Sequence, residues 1–112
     1  MTEKIVVIST ASAPEDAAKI GRQLVERRLA ACVTVLPGAR GIYRWKSEGQ
    51  DQVEEATESV LLIKTSRDLF PALEAAVKSL HSYEVPEVIA LPIVIGSNAY
   101  MNWLHEELKE RI

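Results

Sequence analysis

His81-Ser82-Tyr83-Glu84-Val85-Pro86-Glu87 gathers an imidazole, a phenol and two carboxylates within seven residues. That mix of groups able to bind a metal ion or move a proton makes it the first candidate site. Neutral imidazole suits Cu(II) or Zn(II), which makes His81 the candidate metal ligand. The rival reading is that a histidine closing a helix engages the last carbonyls and the helix dipole. Glu84 and Glu87 could lend oxygens to a hard cation, but such ions take six or more oxygens or keep their waters, so two carboxylates bind weakly. Glu87 is better read as pairing with Lys64 or an arginine across a cleft, because a buried carboxylate needs a partner.

The remaining chemistry-bearing side chains favour plainer roles. Cys32 is soft enough for Cu(I), but it sits between Ala31 and Val33, and free cysteine is among the most buried residue types. His105 lies beside Glu106 and Glu107, with Met101 four residues before it; nothing else converges there, and a solvated face is expected. Glu48, Asp51, Glu54, Glu55 and Glu58 form an acidic tract, expected as a solvated arm except for Glu58, which adjoins the next strand. Tyr43, Trp45, Tyr83, Tyr100 and Trp103 are most of the aromatic residues, and aromatics with a polar end are favoured at interfaces. The chain has no Gly-rich phosphate loop, His-x-x-x-His, Cys-x-x-Cys or nucleophile elbow, so no enzymatic activity is expected.

Bulk properties narrow the class. The chain of 112 residues is expected to form a single domain over residues 1–112, long enough to bury a core without disulfides or metal. With 47% hydrophobic and 26% charged residues it reads as a folded soluble protein. A net charge of −3 and a pI near 5.4 argue against nucleic-acid or membrane partners, which want a basic face. The segment from Met1 to Lys4 runs straight into a strand-like stretch and does not resemble a signal peptide. One cysteine excludes an internal disulfide and fits a reducing compartment, so a cytoplasmic location is expected.

These side chains must be positioned by the elements around them. Lys4–Ser9 is a β-branched run expected as a strand covered on both faces. Ser12 and Glu15 have capping-box spacing, and Pro14 suits a first turn. Ala17, Ile20, Gly21, Leu24, Val25 and Leu29 then form one helical stripe. Ala30–Leu36 is the second strand, interrupted by Pro37-Gly38 and resumed at Ile42–Trp45, as in a bulged long strand. Residues 46–59 read as a hairpin arm and Ser59–Thr65 as the third strand. Pro71 places a second helix with Asp68 as its N-cap, Leu69, Leu73, Ala76, Val77 and Leu80 as its buried stripe, and His81 at its end. Val85–Ile95 is the fourth strand, whose prolines at 86 and 92 donate nothing to a ladder and so mark an incompletely paired edge. A final helix follows, capped by Ser97 or Asn98, with Tyr100, Met101, Leu104 and Leu108 on its apolar side.

The order β-α-β-β-α-β plus a terminal helix predicts an α+β, ferredoxin-like sandwich: an antiparallel sheet with two helices on one face. The other face would lie bare although the strands are apolar on both sides. Burial against further copies in a closed ring, with strands continuing between subunits, would cover it and complete the proline-limited edge.

Leu29-Ala-Ala-Cys-Val33, Pro37-Gly38, Ile42-Tyr-Arg-Trp45, Leu62-Ile-Lys-Thr65, His81 to Glu87 and Tyr100-Met-Asn-Trp-Leu104 occur in an order and spacing that resembles the CutA family of divalent-cation tolerance proteins. The resemblance covers essentially the whole chain. It implies a ferredoxin-like subunit in a PII-like homotrimer with clefts between subunits, a link to tolerance of copper and other divalent cations, and no firmly attached reaction. Copper-binding bacterial members carry a cysteine after the first strand and adjacent histidines ending the second helix; the matching positions here are Ser9, Leu80 and His81. Ser82 stands where the family has proline, Thr34 where it has asparagine, and the arm between Trp45 and Glu58 is longer than usual. The ligand site is then expected in the inter-subunit cleft, drawn from Glu58, Lys64, Tyr83, Glu87 and Trp103, with His81 holding copper or another divalent cation weakly. The alternative is a PII-like sensor of a small anion or metabolite, with Lys64 and Arg44 supplying charge and no metal bound.

Overall fold

The computed structural model describes residues 3–47 and 49–110. Met1, Thr2 and Glu48, on which part of the amino-terminal and acidic-tract readings falls, lie outside them. In chain order come β1 (Lys4–Ala11), α1 (Pro14–Glu26), β2 (Cys32–Ser47), β3 (Gln50–Ser66), a 3-10 turn (Arg67–Leu69), α2 (Phe70–Leu80), β4 (Ile89–Pro92) and α3 (Asn98–Glu107). The sheet runs β2-β3-β1-β4 with every neighbouring pair antiparallel. Two βαβ units are thus interleaved, the ferredoxin-like arrangement that the element order predicts.

Strand alternation decides what each face does. Ile5, Val7 and Ala11 of β1 and Leu61 and Ile63 of β3 pack with Ala17, Ile20 and Leu24 of α1 and Leu73, Ala76 and Val77 of α2. The intervening Val6, Ile8, Val60 and Leu62 are only half-buried on the opposite face. Helix α3 covers one end of that second face, where Leu104 is fully buried and the Tyr100 hydroxyl lies 3.3 Å from Cys32 Sγ. The Lys4 ammonium donates to His105 Nδ1 at 3.2 Å. His105 is therefore half-buried against β1, which corrects the solvated face expected for it.

Two expected helix caps do not form. Ala13, not Ser12, is the N-cap of α1, with φ −131° and ψ 153°. Pro14 is the cause: a residue preceding proline is pushed out of the helical region, so the helix cannot begin at Ala13. The Ser12 hydroxyl instead donates to Asp16 Oδ2 at 3.1 Å. Asp68 falls inside the 3-10 turn, and α2 starts after Leu69 with no side-chain cap. Ser97 does cap α3, accepting from the Tyr100 N–H at 3.3 Å.

The bulge at Pro37-Gly38 is present. The β2–β3 register shifts between Leu36 and Ala39, and Gly38 supplies the positive φ of 79°. Beyond it the ladder continues from Ala39↔Glu58 to Ser47↔Gln50, so β3 begins nine residues earlier than the expected Ser59. The arm stretches the molecule to 49 Å along its longest axis. Strand β4, by contrast, pairs only over Ile89–Pro92 rather than Val85–Ile95. Pro86 is buried outside the ladder, while Val94 and Ile95 are each 89% exposed. Among the described residues it is an edge strand, bonded to β1 alone.

Candidate functional site

The hairpin arm and the segment after α2 enclose a cavity of about 510 Å³, lined by Thr10, Tyr43, Trp45, Glu54, Glu58, Tyr83, Glu84, Val85 and Glu87. Tyr43 faces Glu54 across the ladder, and Glu58 faces Ala39, so alternation brings Tyr43, Trp45, Glu54 and Glu58 to one face of the arm. Gly41 lies between them. A Cβ there would collide with Glu58 Oε1, so the missing side chain is what lets the Glu58 carboxylate lie across the strand. None of Glu54, Glu58, Glu84 and Glu87 is ion-paired among the described residues.

The opposite wall depends on His81. Its Nδ1 accepts the Tyr83 N–H at 3.0 Å, and its Nε2 lies 2.6 Å from the Thr10 carbonyl oxygen. A carbonyl only accepts and an amide only donates, so the ring is the neutral tautomer with its proton on Nε2. Both nitrogens are engaged, and a metal ion at Nδ1 would have to displace the Tyr83 amide. The Tyr83 ring packs on the imidazole, with centroids 4.5 Å apart. Burial first, then the nearby Glu58 carboxylate, pushes the Tyr83 phenol above its ordinary value.

Of the residues expected to form one site, Glu58, Tyr83 and Glu87 come together, with His81 behind Tyr83. Lys64 and Trp103 do not join them within one chain. Lys64 donates to Thr34 Oγ1 at 2.8 Å and to the Leu62 carbonyl at 3.1 Å; Trp103 stacks on Tyr100 at 5.5 Å. Arg44 pairs with Asp51 at 3.3 Å. Neither Lys64 nor Arg44 lines the cavity. Ser9 is 1% exposed in the helix-side core. Among the described residues no three His, Cys, Asp or Glu side chains converge to hold a metal ion. Sequence reasoning missed Tyr43, Trp45, Glu54 and Gly41 as parts of this wall. The i,i+2 spacing of Tyr43 and Trp45 was the available signal, but placing Glu54 opposite them requires the hairpin register.

Comparison with known proteins agrees with the fold. A family model described as "CutA1 divalent ion tolerance protein" matches residues 5–107. A divalent-cation tolerance protein CutA of Thermus thermophilus is 48% identical over 101 residues, 90% of this chain and 94% of that protein. Protein CutA of Mus musculus is 47% identical over 90 residues, 80% of this chain but only 49% of the mouse protein. The crystal structure of CutA1 from Oryza sativa superposes with a TM-score of 0.90 at 37% identity, covering 98% of this chain and 97% of that one.

Proposed function

The chain belongs to the CutA1 divalent ion tolerance family, and from that premise we propose that it serves divalent-metal tolerance as a cytoplasmic homotrimer. Copper is among the ions, and the role is one of binding rather than catalysis. The cavity between the arm and residues 83–87 is the binding site, and a neighbouring copy closes its open side. A divalent ion would be held weakly, with retained waters, because Glu58 and Glu87 alone would supply its ligands. His81 serves by fixing Tyr83 and the cavity wall. The single cysteine supports a reducing compartment.

The observation that carries this reading is the set of carboxylates without ion partners around one cavity, since uncompensated charge of one sign attracts the opposite ion. Calorimetric titration with Cu(II) and with Zn(II) tests it on wild type, His81→Ala and the double variant Glu58→Gln/Glu87→Gln. The double variant should bind more weakly by about tenfold or more. Unchanged curves for it would remove the cavity as the site, and unchanged curves for His81→Ala would remove His81 from any part in binding.

A further inference from the structure

Three aromatic rings share the cavity with the four carboxylates: Tyr43 and Trp45 from β2, and Tyr83 from the segment after α2. Carboxylates alone would suit any cation, but ring faces coordinate no metal. What they attract is a cation whose charge is spread over carbon-bound groups, held over the π-face of Trp or Tyr. Size agrees. About 510 Å³ falls within the range of small-molecule pockets, roughly 300–1,000 Å³. The carboxylates line the walls rather than meeting at a point, so they provide a negative field more than a coordination sphere.

We propose that this cavity recognises an organic ammonium ion, with Tyr43, Trp45 and Tyr83 as its cage and Glu54, Glu58, Glu84 and Glu87 as its counter-charge. This rests on the reading of the cavity as the ligand site and adds a second class of cation to the divalent ions proposed for it. Within one chain the rings are only partly covered, Trp45 being 58% exposed and Tyr83 37%. The hydrogen bonds through His81 hold Tyr83 as the fixed wall, and the two-stranded arm carries the opposite one.

Choline is the probe, and 3,3-dimethylbutan-1-ol, the same shape without charge, is its control. Calorimetry on the intact protein should show saturable choline binding and at least about tenfold weaker binding of the alcohol. Glu58→Gln and Trp45→Leu, each checked for an unchanged circular-dichroism spectrum, should each weaken choline by about threefold to tenfold. The proposal is overturned if choline does not saturate, if the alcohol binds as well, or if neither variant changes affinity. Titration of the same variants with Zn(II) separates the two failures. Zinc binding that drops in Glu58→Gln while choline never saturates leaves the site standing and removes the ammonium ligand. If both probes ignore the substitution, the site itself falls.

Discussion

Tyr100 and Cys32 join α3 to the sheet, and their contact has a consequence at high pH. The hydrogen bond to Cys32, reinforced by burial, pushes the Tyr100 phenol up to about 12. A phenol raised above its unfolded value near 10 contributes stability that is whole below pH 10 and is lost as pH climbs through the folded value. Denaturation followed between pH 9 and 12 should therefore show stability falling with pH, and Tyr100→Phe should flatten that fall. An equally steep fall in the variant would remove Tyr100 as its cause. Burial acts in the opposite sense on Lys4, whose ammonium is lowered from 10.5 chiefly by desolvation; its burial cost is relieved as pH rises toward 10.5, which partly offsets the tyrosine effect. Neither the phenol's partner nor that of His81 could be read from the sequence. Cys32 lies 68 positions from Tyr100, and Thr10 lies 71 from His81. Residue type marked His81 as chemically able, but only folding brings a carbonyl and an amide to its two nitrogens.

The arm's contribution to the cavity hinges on Gly41. A methyl group at this position would meet the far end of the Glu58 side chain, which can swing away without moving backbone. Gly41→Ala should leave stability within about 0.5 kcal/mol of wild type, because added strand propensity offsets the shifted carboxylate. Binding of choline and Zn(II) should nonetheless weaken, since Glu58 no longer lies across the strand. Denaturant titration at fixed protein concentration and calorimetry check the pair; a large loss of stability, or untouched binding, would contradict it. The bulge before Gly41 was legible because Pro37-Gly38 breaks an apolar run in a way only a bent strand tolerates. The length of the arm was not, because Gln50–Glu58 carries only Val53 and Ala56 among polar residues, one on each face, and leaves no alternating apolar signal. The opposite error lengthened the expected β4: its apolar run is longer than its ladder, and composition cannot distinguish a residue buried in its own chain from one left exposed at an edge.

That surplus of apolar edge bears on assembly. Ile89 lies opposite Ile8 and Leu91 opposite Val6, so both extend the half-buried second face of the sheet, where they stay 52% and 54% exposed. Val94 and Ile95 prolong the same segment toward solvent, and Ile42, Trp45 and Val53 are exposed along the arm. A radius of gyration of 15.3 Å, against about 13 Å for a compact chain of 100 residues, reflects that extended arm. Apolar surface of this extent is uncommon on a monomer, and a closed ring of copies would both cover it and pair the free edges. Sedimentation should show wild type as a trimer. Leu91→Lys sets a charge on the second face, away from the helix-side core, so it should shift the distribution toward monomer with the circular-dichroism spectrum intact. A wild-type monomer at all concentrations would refute the assembly. Because Tyr43, Trp45 and Val85 line the cavity and are exposed in the single chain, dissociation should also weaken cation binding. Gly41→Ala, which alters the cavity from within, should lose binding while remaining trimeric. Measuring both variants distinguishes a site complete in one chain from one that a neighbour must finish.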